Sequence, residues 1–226
     1  MNLTLFDLDN TLLPLDSDYE WGQFLCRAGA VEREAFTARN DAFYEQYVAG
    51  TLNPVEYLEF AFSTLKRFPR SQLDHWHAQF MQEVIQPAMR TEALELVEAH
   101  RQAGDLLVII TATNRFVTGP IAQAFGVEHL IAAEPEFSPD GEITGRLIGR
   151  PPFGTGKVSN LHDWLGSLGK TLADFERSTF YSDSQNDIPL LSVVTHPVAT
   201  NPNAALASHA ETQGWPMLQL FPVADV

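Results

Sequence analysis

Leu106-Leu107-Val108-Ile109-Ile110 is the stretch that most narrows the folds open to this chain. A half-exposed strand would alternate polar with apolar residues, and this run does not. An unbroken aliphatic run fits a strand buried on both faces, as strands of parallel sheets are. Parallel neighbours must be joined by long crossovers, usually helices. Leu3, Leu5 and Phe6 make a second, shorter run, bounded by Asn10 and Pro14. Segments of helical periodicity lie between these runs and later strand-like ones. The expected class is therefore α/β, a parallel sheet with crossover helices.

The first run ends in Asp7-Leu8-Asp9-Asn10-Thr11. On an ideal strand Asp7 and Asp9 leave the same face. Two carboxylates at the C-terminal edge of a buried strand repel each other, so they need a cation or one must hold a proton. In open α/β sheets that edge is where ligands bind.

The chain has 226 residues, room for one large domain or two small ones. Its formal net charge of −15 argues against a nucleic-acid partner, because phosphate backbones bind basic faces. The single cysteine, Cys26, rules out an internal disulfide and a cysteine metal cage, and it suits a reducing cytoplasm. No signal peptide is visible before Asp7, and no apolar run approaches the roughly 20 residues that span a membrane. The sequence leaves the oligomeric state open.

From Asp16 to Gln86 the pattern is helical. Asp16-Ser17-Asp18 offers caps before Trp21, Phe24 and Leu25. A second helix is expected over Val31 to Val48, stopped by Gly50. Asn53-Pro54 opens a third, with Val55, Leu58, Phe62 and Leu65 on one stripe. A fourth carries Leu73, Trp76 and Phe80, and Pro87 is expected to end the module. His75 and His77 sit two apart on different faces of it, so they read as surface or packing residues, not as a metal pair. The chain has 15 Phe, 5 Tyr and 4 Trp, and more than half lie between Tyr19 and Phe80. Such a load marks a packed helical module, not a linker.

The 106–110 run stops at Thr111-Ala112, where a hydroxyl and backbone N–H groups can donate to a phosphate. A helix follows over Phe116 to Phe125, then a short strand, Leu130 to Ala133. Ser138-Pro139-Asp140-Gly141, flanked by alternating residues, signals a hairpin. Lys157 sits at the start of an amphipathic helix with Val158, Leu161 and Leu165. Gly154-Thr155-Gly156-Lys157 lacks the frame of a nucleotide phosphate loop, which needs an earlier Gly and a Ser or Thr after Lys. A β-rich stretch then runs into Ser182-Asp183-Ser184-Gln185-Asn186-Asp187. Val193-Val194, Pro197 to Ala199 and Met217 to Leu220 look like further strands, with a helix over Asn203 to Glu211.

Together these stretches resemble, in order, the four motifs of the haloacid dehalogenase superfamily. They are Asp7-x-Asp9-x-Thr11, a hydrophobic strand ending at Thr111, Lys157, and Asp183-x-x-x-Asp187. Ala112 and Ser182 stand where relatives often have Gly. The layout is similar to the phosphoserine phosphatase-like branch, which includes some histidinol-phosphate phosphatases. The resemblance implies a Rossmann-like core over 1–15 and 87–226, a helical cap over 16–86, and a small β flap. It further implies a Mg²⁺-dependent phosphomonoesterase. Asp7 would be the nucleophile that forms an aspartyl-phosphate and Asp9 the general acid and base. Thr111, the Ala112 N–H and Lys157 would bind phosphate, and Asp7, Asp183 and the Asp9 carbonyl would hold the metal. Asn186 and Asp187 would stand behind them.

Transfer to an organic acceptor, as in a mutase, and a silent phosphoester-binding protein both remain open. Asp16 lies nine residues after Asp7, where phosphoserine phosphatase-like members carry an acid that meets a substrate ammonium. It would serve as a helix cap equally well. The recognition reading implies an amine-bearing substrate such as histidinol phosphate or phosphoserine.

Overall fold

The computed structural model describes residues 1–222. Its strands are β1 (Leu3–Phe6), β2 (Leu106–Asn114), β3 (His129–Phe137), β4 (Ile143–Ile148), β5 (Ser178–Ser182), β6 (His196–Thr200) and β7 (Met217–Leu218). They form one sheet in the order β4-β3-β2-β1-β5-β6-β7. All pairs are parallel except β3 with β4, which is the hairpin expected around Ser138 to Gly141. Gly141 takes φ +86 there, and its N–H donates to the Ser138 carbonyl. The chain leaves β1 towards β2 on one side and later returns to β5 on the other. The C-terminal end of β1 is thus the switch point at which open α/β sheets bind ligands.

Both faces of the sheet are buried, as the unbroken aliphatic runs require. Leu3, Leu5, Val108, Ile110 and Phe180 face one apolar cluster. It is completed by α8 (Thr155–Ser167), α9 (Ile188–Leu191) and α10 (Ala204–Gln213) through Leu161, Leu165, Leu190, Leu191, Leu206 and Ala210. Phe6, Leu107, Ile109 and Leu130 face the other cluster. That second cluster continues without a break into the helices that follow β1.

Those helices are α1 (Ser17–Arg27), α2 (Arg33–Val48), α3 (Pro54–Leu65) and α4 (Arg70–Phe80). Asn53 caps α3 with Pro54 at its first turn, as its residue pattern predicts. Trp21, Phe24, Phe62, Leu65, Leu73 and Phe80 are buried in the same cluster as the sheet. Trp21 stacks on Phe24 at 5.6 Å and meets Phe80 and Phe116 edge-on, joining α1, α4 and α7 (Arg115–Ala124). His77 is buried there and shares a 2.8 Å hydrogen bond with the Val117 carbonyl, so it is a packing residue; His75 is exposed. Burial lowers the His77 pKa, which keeps the ring neutral in the core.

Three local expectations differ. The α4 helix does not stop cleanly at Pro87. It passes through a π-helical stretch, Met81–Ile85, into a last short turn, α5 (Gln86–Ala88), after which α6 (Thr91–Gln102) leads to β2. Proline lacks an N–H and its ring crowds the carbonyl four residues back, and a wider turn just before it relieves both. Val193-Val194 is a turn, not a strand. Extended pairing begins only at His196, where β6 finds Thr179 of β5. The last strand ends at Leu218, because the N–H groups of Leu220 and Phe221 donate to Asn201 Oδ1 instead of to a neighbouring strand.

Candidate active site

The floor of the site is built from strand ends. Asp7 follows β1, Thr111 lies in β2, Asp183 follows β5, and Lys157 sits in the first turn of α8. All four are buried. Two glycines let Lys157 reach its place. Gly154 takes φ +55, and a Cβ on Gly156 would stand 2.2 Å from the Pro151 carbonyl oxygen. This close approach, not phosphate looping, accounts for the Gly-x-Gly-Lys pattern.

Lys157 Nζ donates to Asp7 Oδ1 at 2.8 Å and to Asp187 Oδ2 at 2.6 Å. Asp187 Oδ2 also accepts from Ser182 Oγ at 2.7 Å. The Thr11 hydroxyl donates to Asp183 Oδ1 at 3.1 Å and lies 3.4 Å from Asp7 Oδ2, while it accepts from the Asp183 N–H. The first and fourth motifs thus meet through one hydroxyl. Asn201, in a left-handed conformation, steadies the same loop: its Nδ2 donates to the Asn10 and Thr11 carbonyls.

Burial raises the pKa of Asp7, with Lys157 opposing and Asp9 adding to the rise. Asp183 is pushed well up by burial and by repulsion from Asp7 and Asp187. Burial works against the charge of Lys157, but Asp187 and Asp7 outweigh it and its pKa is raised. The floor therefore holds three carboxyl groups against one ammonium.

Asp9 lies on the other side of the nucleophile loop. Its Oδ1 accepts from the Ser17 N–H and its Oδ2 from Thr113 Oγ1, both at 2.8 Å. Burial and the nearby Asp16 raise its pKa to about 6, against these hydrogen bonds. Thr111 Oγ1 accepts from the Thr113 N–H, which leaves its own proton free to donate. Asp7, Asp9, Thr111, Ala112, Lys157, Asn186 and Asp187 line one cavity, and Asp16 lines it from above. Asp183 is not among the residues that line this cavity; it is joined to Asp7 through the Thr11 hydroxyl.

Asp16 caps α1: its Oδ1 accepts from the N–H groups of Asp18 and Tyr19. It faces the cavity as well, so the two readings of this residue do not exclude each other. Asn186 reaches towards α2, where its Nδ2 donates to the Tyr47 carbonyl at 3.4 Å. Several lining residues carried no motif: Thr113, Asp18, Tyr44, Tyr47, Tyr57 and Phe153. For Thr113 there was a signal, since it lies two residues beyond Thr111 and β2 continues to Asn114. The aromatics were visible only as a dense module, with nothing to say which of them faces a ligand.

Among the described residues no three His, Cys, Asp or Glu side chains converge as a complete metal shell. The set implied for a hard divalent cation needs only two carboxylates and one backbone carbonyl, with the remaining positions going to water and phosphate. Asp7 and Asp183, both touching Thr11 and short of positive charge, fit that role.

Residues 4–192 match the haloacid dehalogenase-like hydrolase family. The chain is 41% identical over 217 residues to a histidinol-phosphatase of Neisseria meningitidis serogroup C (strain 8013), covering 96% of this chain and 98% of that one. A solved protein of unknown function from Bordetella pertussis Tohama I shares 48% identity at a TM-score of 0.92, covering 97% and 99% of the two chains. A substrate-bound phosphoserine phosphatase shares the fold at a TM-score of 0.68 with 19% identity, covering 96% of this chain and 91% of the other. The order of motifs along the chain, their meeting at the end of β1, and the match over residues 4–192 agree: the chain belongs to the haloacid dehalogenase-like hydrolases.

Proposed function

We propose that this hydrolase is a phosphomonoester phosphatase that works through an aspartyl-phosphate on Asp7 and acts on a small amine-bearing metabolite. The observation that carries the reading is the floor itself. Lys157 bridges Asp7 and Asp187, while Asp9, held by Ser17 and Thr113, opens on the same cavity. A structural ion pair would need no second carboxylate held apart from the lysine.

Asp7 and Asp183, with the Asp9 carbonyl, would hold Mg²⁺. The ion would supply positive charge against the approach of an anionic phosphate to an anionic nucleophile. An Asp7 carboxylate oxygen attacks phosphorus in line, and the ester oxygen leaves with the proton of Asp9. Asp9 then takes a proton from water as that water attacks the phosphoryl group, which frees phosphate and restores Asp7. A pKa near 6 suits a group that must give and accept a proton near neutrality. The Thr111 hydroxyl, the Ala112 N–H and Lys157 hold the remaining phosphate oxygens as charge moves among them. Asp187 keeps Lys157 oriented, and Asn186 ties the loop to the cap.

In this reading residues 1–15 and 87–226, of which 223–226 lie outside the described residues, are the core and 16–86 the cap that covers the cleft. Histidinol phosphate and phosphoserine are the leading substrates. The Neisseria relative and the aromatic cavity wall, Phe43, Tyr44, Tyr47, Tyr57 and Phe153, favour histidinol phosphate, whose imidazole can stack there. The test is phosphate release by pure protein with Mg²⁺, water being the sole acceptor. Release that requires an added alcohol would make the protein a transferase. Binding of phosphoesters without turnover under any divalent metal would make it a silent binder.

A further inference from the structure

The cavity roof holds a carboxylate that the chemistry above does not use. Asp18 lies in the first turn of α1 and is 6% exposed. Its Oδ1 accepts from Asn114 Nδ2 at 3.2 Å. Its Oδ2 is buried and accepts no well-formed hydrogen bond; the Tyr57 phenol, a neutral donor, stands close to the carboxylate, and no cation does. Asp18 lines the same cavity as Asp9 and Asp16, beside Tyr57 of α3. A buried carboxylate with no counter-charge is costly when ionised, so it is a candidate to receive a cationic ligand. The cost shows in its acidity: burial pushes Asp18 up to about 7, with the Tyr57 phenol opposing and Asp9 adding to the rise.

The charge inventory of the cavity says what would satisfy it. Five aspartates line it, Asp7, Asp9, Asp16, Asp18 and Asp187. Among the described lining residues Lys157 is the one cation, and Asp7 and Asp187 already hold it. The roof has no arginine, lysine or histidine to receive an anionic substituent. Asp16 spends Oδ1 on the helix cap. Each of the two roof acids thus lacks a counter-ion, and a single ammonium in direct contact with Asp16 would leave Asp18 with neutral donors alone. Tyr44, Tyr57 and Phe43 around them offer flat apolar surface to a ring.

We propose that Asp18 is a specificity residue which, with Asp16, forms a two-carboxylate subsite for phosphomonoesters that carry two separate nitrogen donors and no carboxylate. This rests on the phosphatase reading and narrows it. A substrate carboxylate would face Asp9, Asp16 and Asp18 without a counter-ion, so a phosphorylated amino acid is disfavoured. A phosphorylated amino alcohol with a second, ring-borne nitrogen fits.

The experiment compares full-length Mg²⁺-loaded wild type and Asp18→Asn on three esters. Histidinol phosphate has two nitrogen-bearing groups, an amine and an imidazole, and no carboxylate; phosphoethanolamine has the amine alone, and phosphoserine adds a carboxylate to it. Wild type is expected to prefer histidinol phosphate at least about tenfold over phosphoethanolamine in kcat/KM, with phosphoserine lower still. In Asp18→Asn that preference should shrink at least about tenfold. Calorimetric binding of histidinol, the dephosphorylated product, should weaken to the same degree. Wild type without the preference, a variant that keeps it, or unchanged histidinol binding each overturns the proposal. If wild type hydrolyses none of the three esters nor p-nitrophenyl phosphate, the phosphatase reading fails, and the histidinol titration still decides the role of Asp18. Should Asp18→Asn not fold, Asp18→Ser is held to the same ratios.

Discussion

The floor and the roof of the cavity are both acidic, yet they are built in opposite ways. On the floor Asp7 and Asp187 share Lys157, Asp183 receives the Thr11 hydroxyl, and Ser182 supports Asp187. On the roof Asp16 and Asp18 have backbone N–H groups, one amide and the Tyr57 phenol close by, all neutral, and no cation. A partly compensated acidic cluster with a lysine would suit a divalent cation, whose charge would offset that of a phosphate. An uncompensated acidic pair among tyrosines suits a cation. On the proposed function, the two ends of one cavity would receive phosphate at one end and basic nitrogen at the other.

Asp7→Asn strikes the floor hardest. It removes the attacking oxygen, and phosphatase kcat should fall about a thousandfold or more, roughly 4 kcal/mol of barrier. Turnover by pure variant within tenfold of wild type would remove Asp7 as nucleophile and the comparison with it. Lys157→Met should break the compensation that separates floor from roof. It leaves Asp7, Asp183 and Asp187 buried together, at a cost of about 3–5 kcal/mol in stability. Metal-free urea unfolding at neutral pH measures this, and an unchanged midpoint would mean the floor was no better paired than the roof.

Asp18→Asn tests the roof in the opposite direction. The Asp18 pKa is raised from its ordinary 3.8 to about 7 in the folded protein, so the folded state binds the extra proton between those values. Stability contributed by this group is present below pH 4 and is lost as pH rises towards 7. The groups acting on Asp18 are Tyr57 and Asp9, and neither reverses that sign. The amide variant should therefore unfold at about the wild-type temperature near pH 4 and be the more stable protein at pH 8, by an amount on the order of a few kcal/mol. Thermal melts across that range without ligand check it; a variant less stable at every pH would show that Asp18 is structurally satisfied. The smallest effect expected is for Asp16→Asn. The ratio of kcat/KM between an amine substrate and p-nitrophenyl phosphate should fall about tenfold, or 1.4 kcal/mol. Equal losses on both substrates would reduce Asp16 to its cap.

Much of the floor was legible in the residues because each motif advertises a local state. The apolar runs at 3–6 and 106–110 became adjacent parallel strands, in register Leu3 with Leu106 through Phe6 with Ile109. Asn53-Pro54 opened its helix and Ser138 to Gly141 closed its hairpin where the residue types demand. Less legible were features that depend on a distant partner. Val193-Val194 has strand-like residues, but extended pairing starts only opposite Thr179. Leu220 belongs by composition to the last strand, yet Asn201 takes its N–H.

What the sequence determined alone was the class of fold, the order of the motifs and the acids that could do chemistry. Periodicity, cap chemistry and turn residues act over a few positions, so they survive without a structure. Only the tertiary structure decided which charges meet. Lys157 lies 150 positions from Asp7 and 30 from Asp187, and packing alone brings its ammonium to both. The same packing buried Asp18 with no cation beside it, while Asp16, two residues earlier, found its cap. The cost of an unpaired carboxylate depends on the solvent it has lost and the donors it lacks, and both are set by layers of the molecule that are remote in sequence.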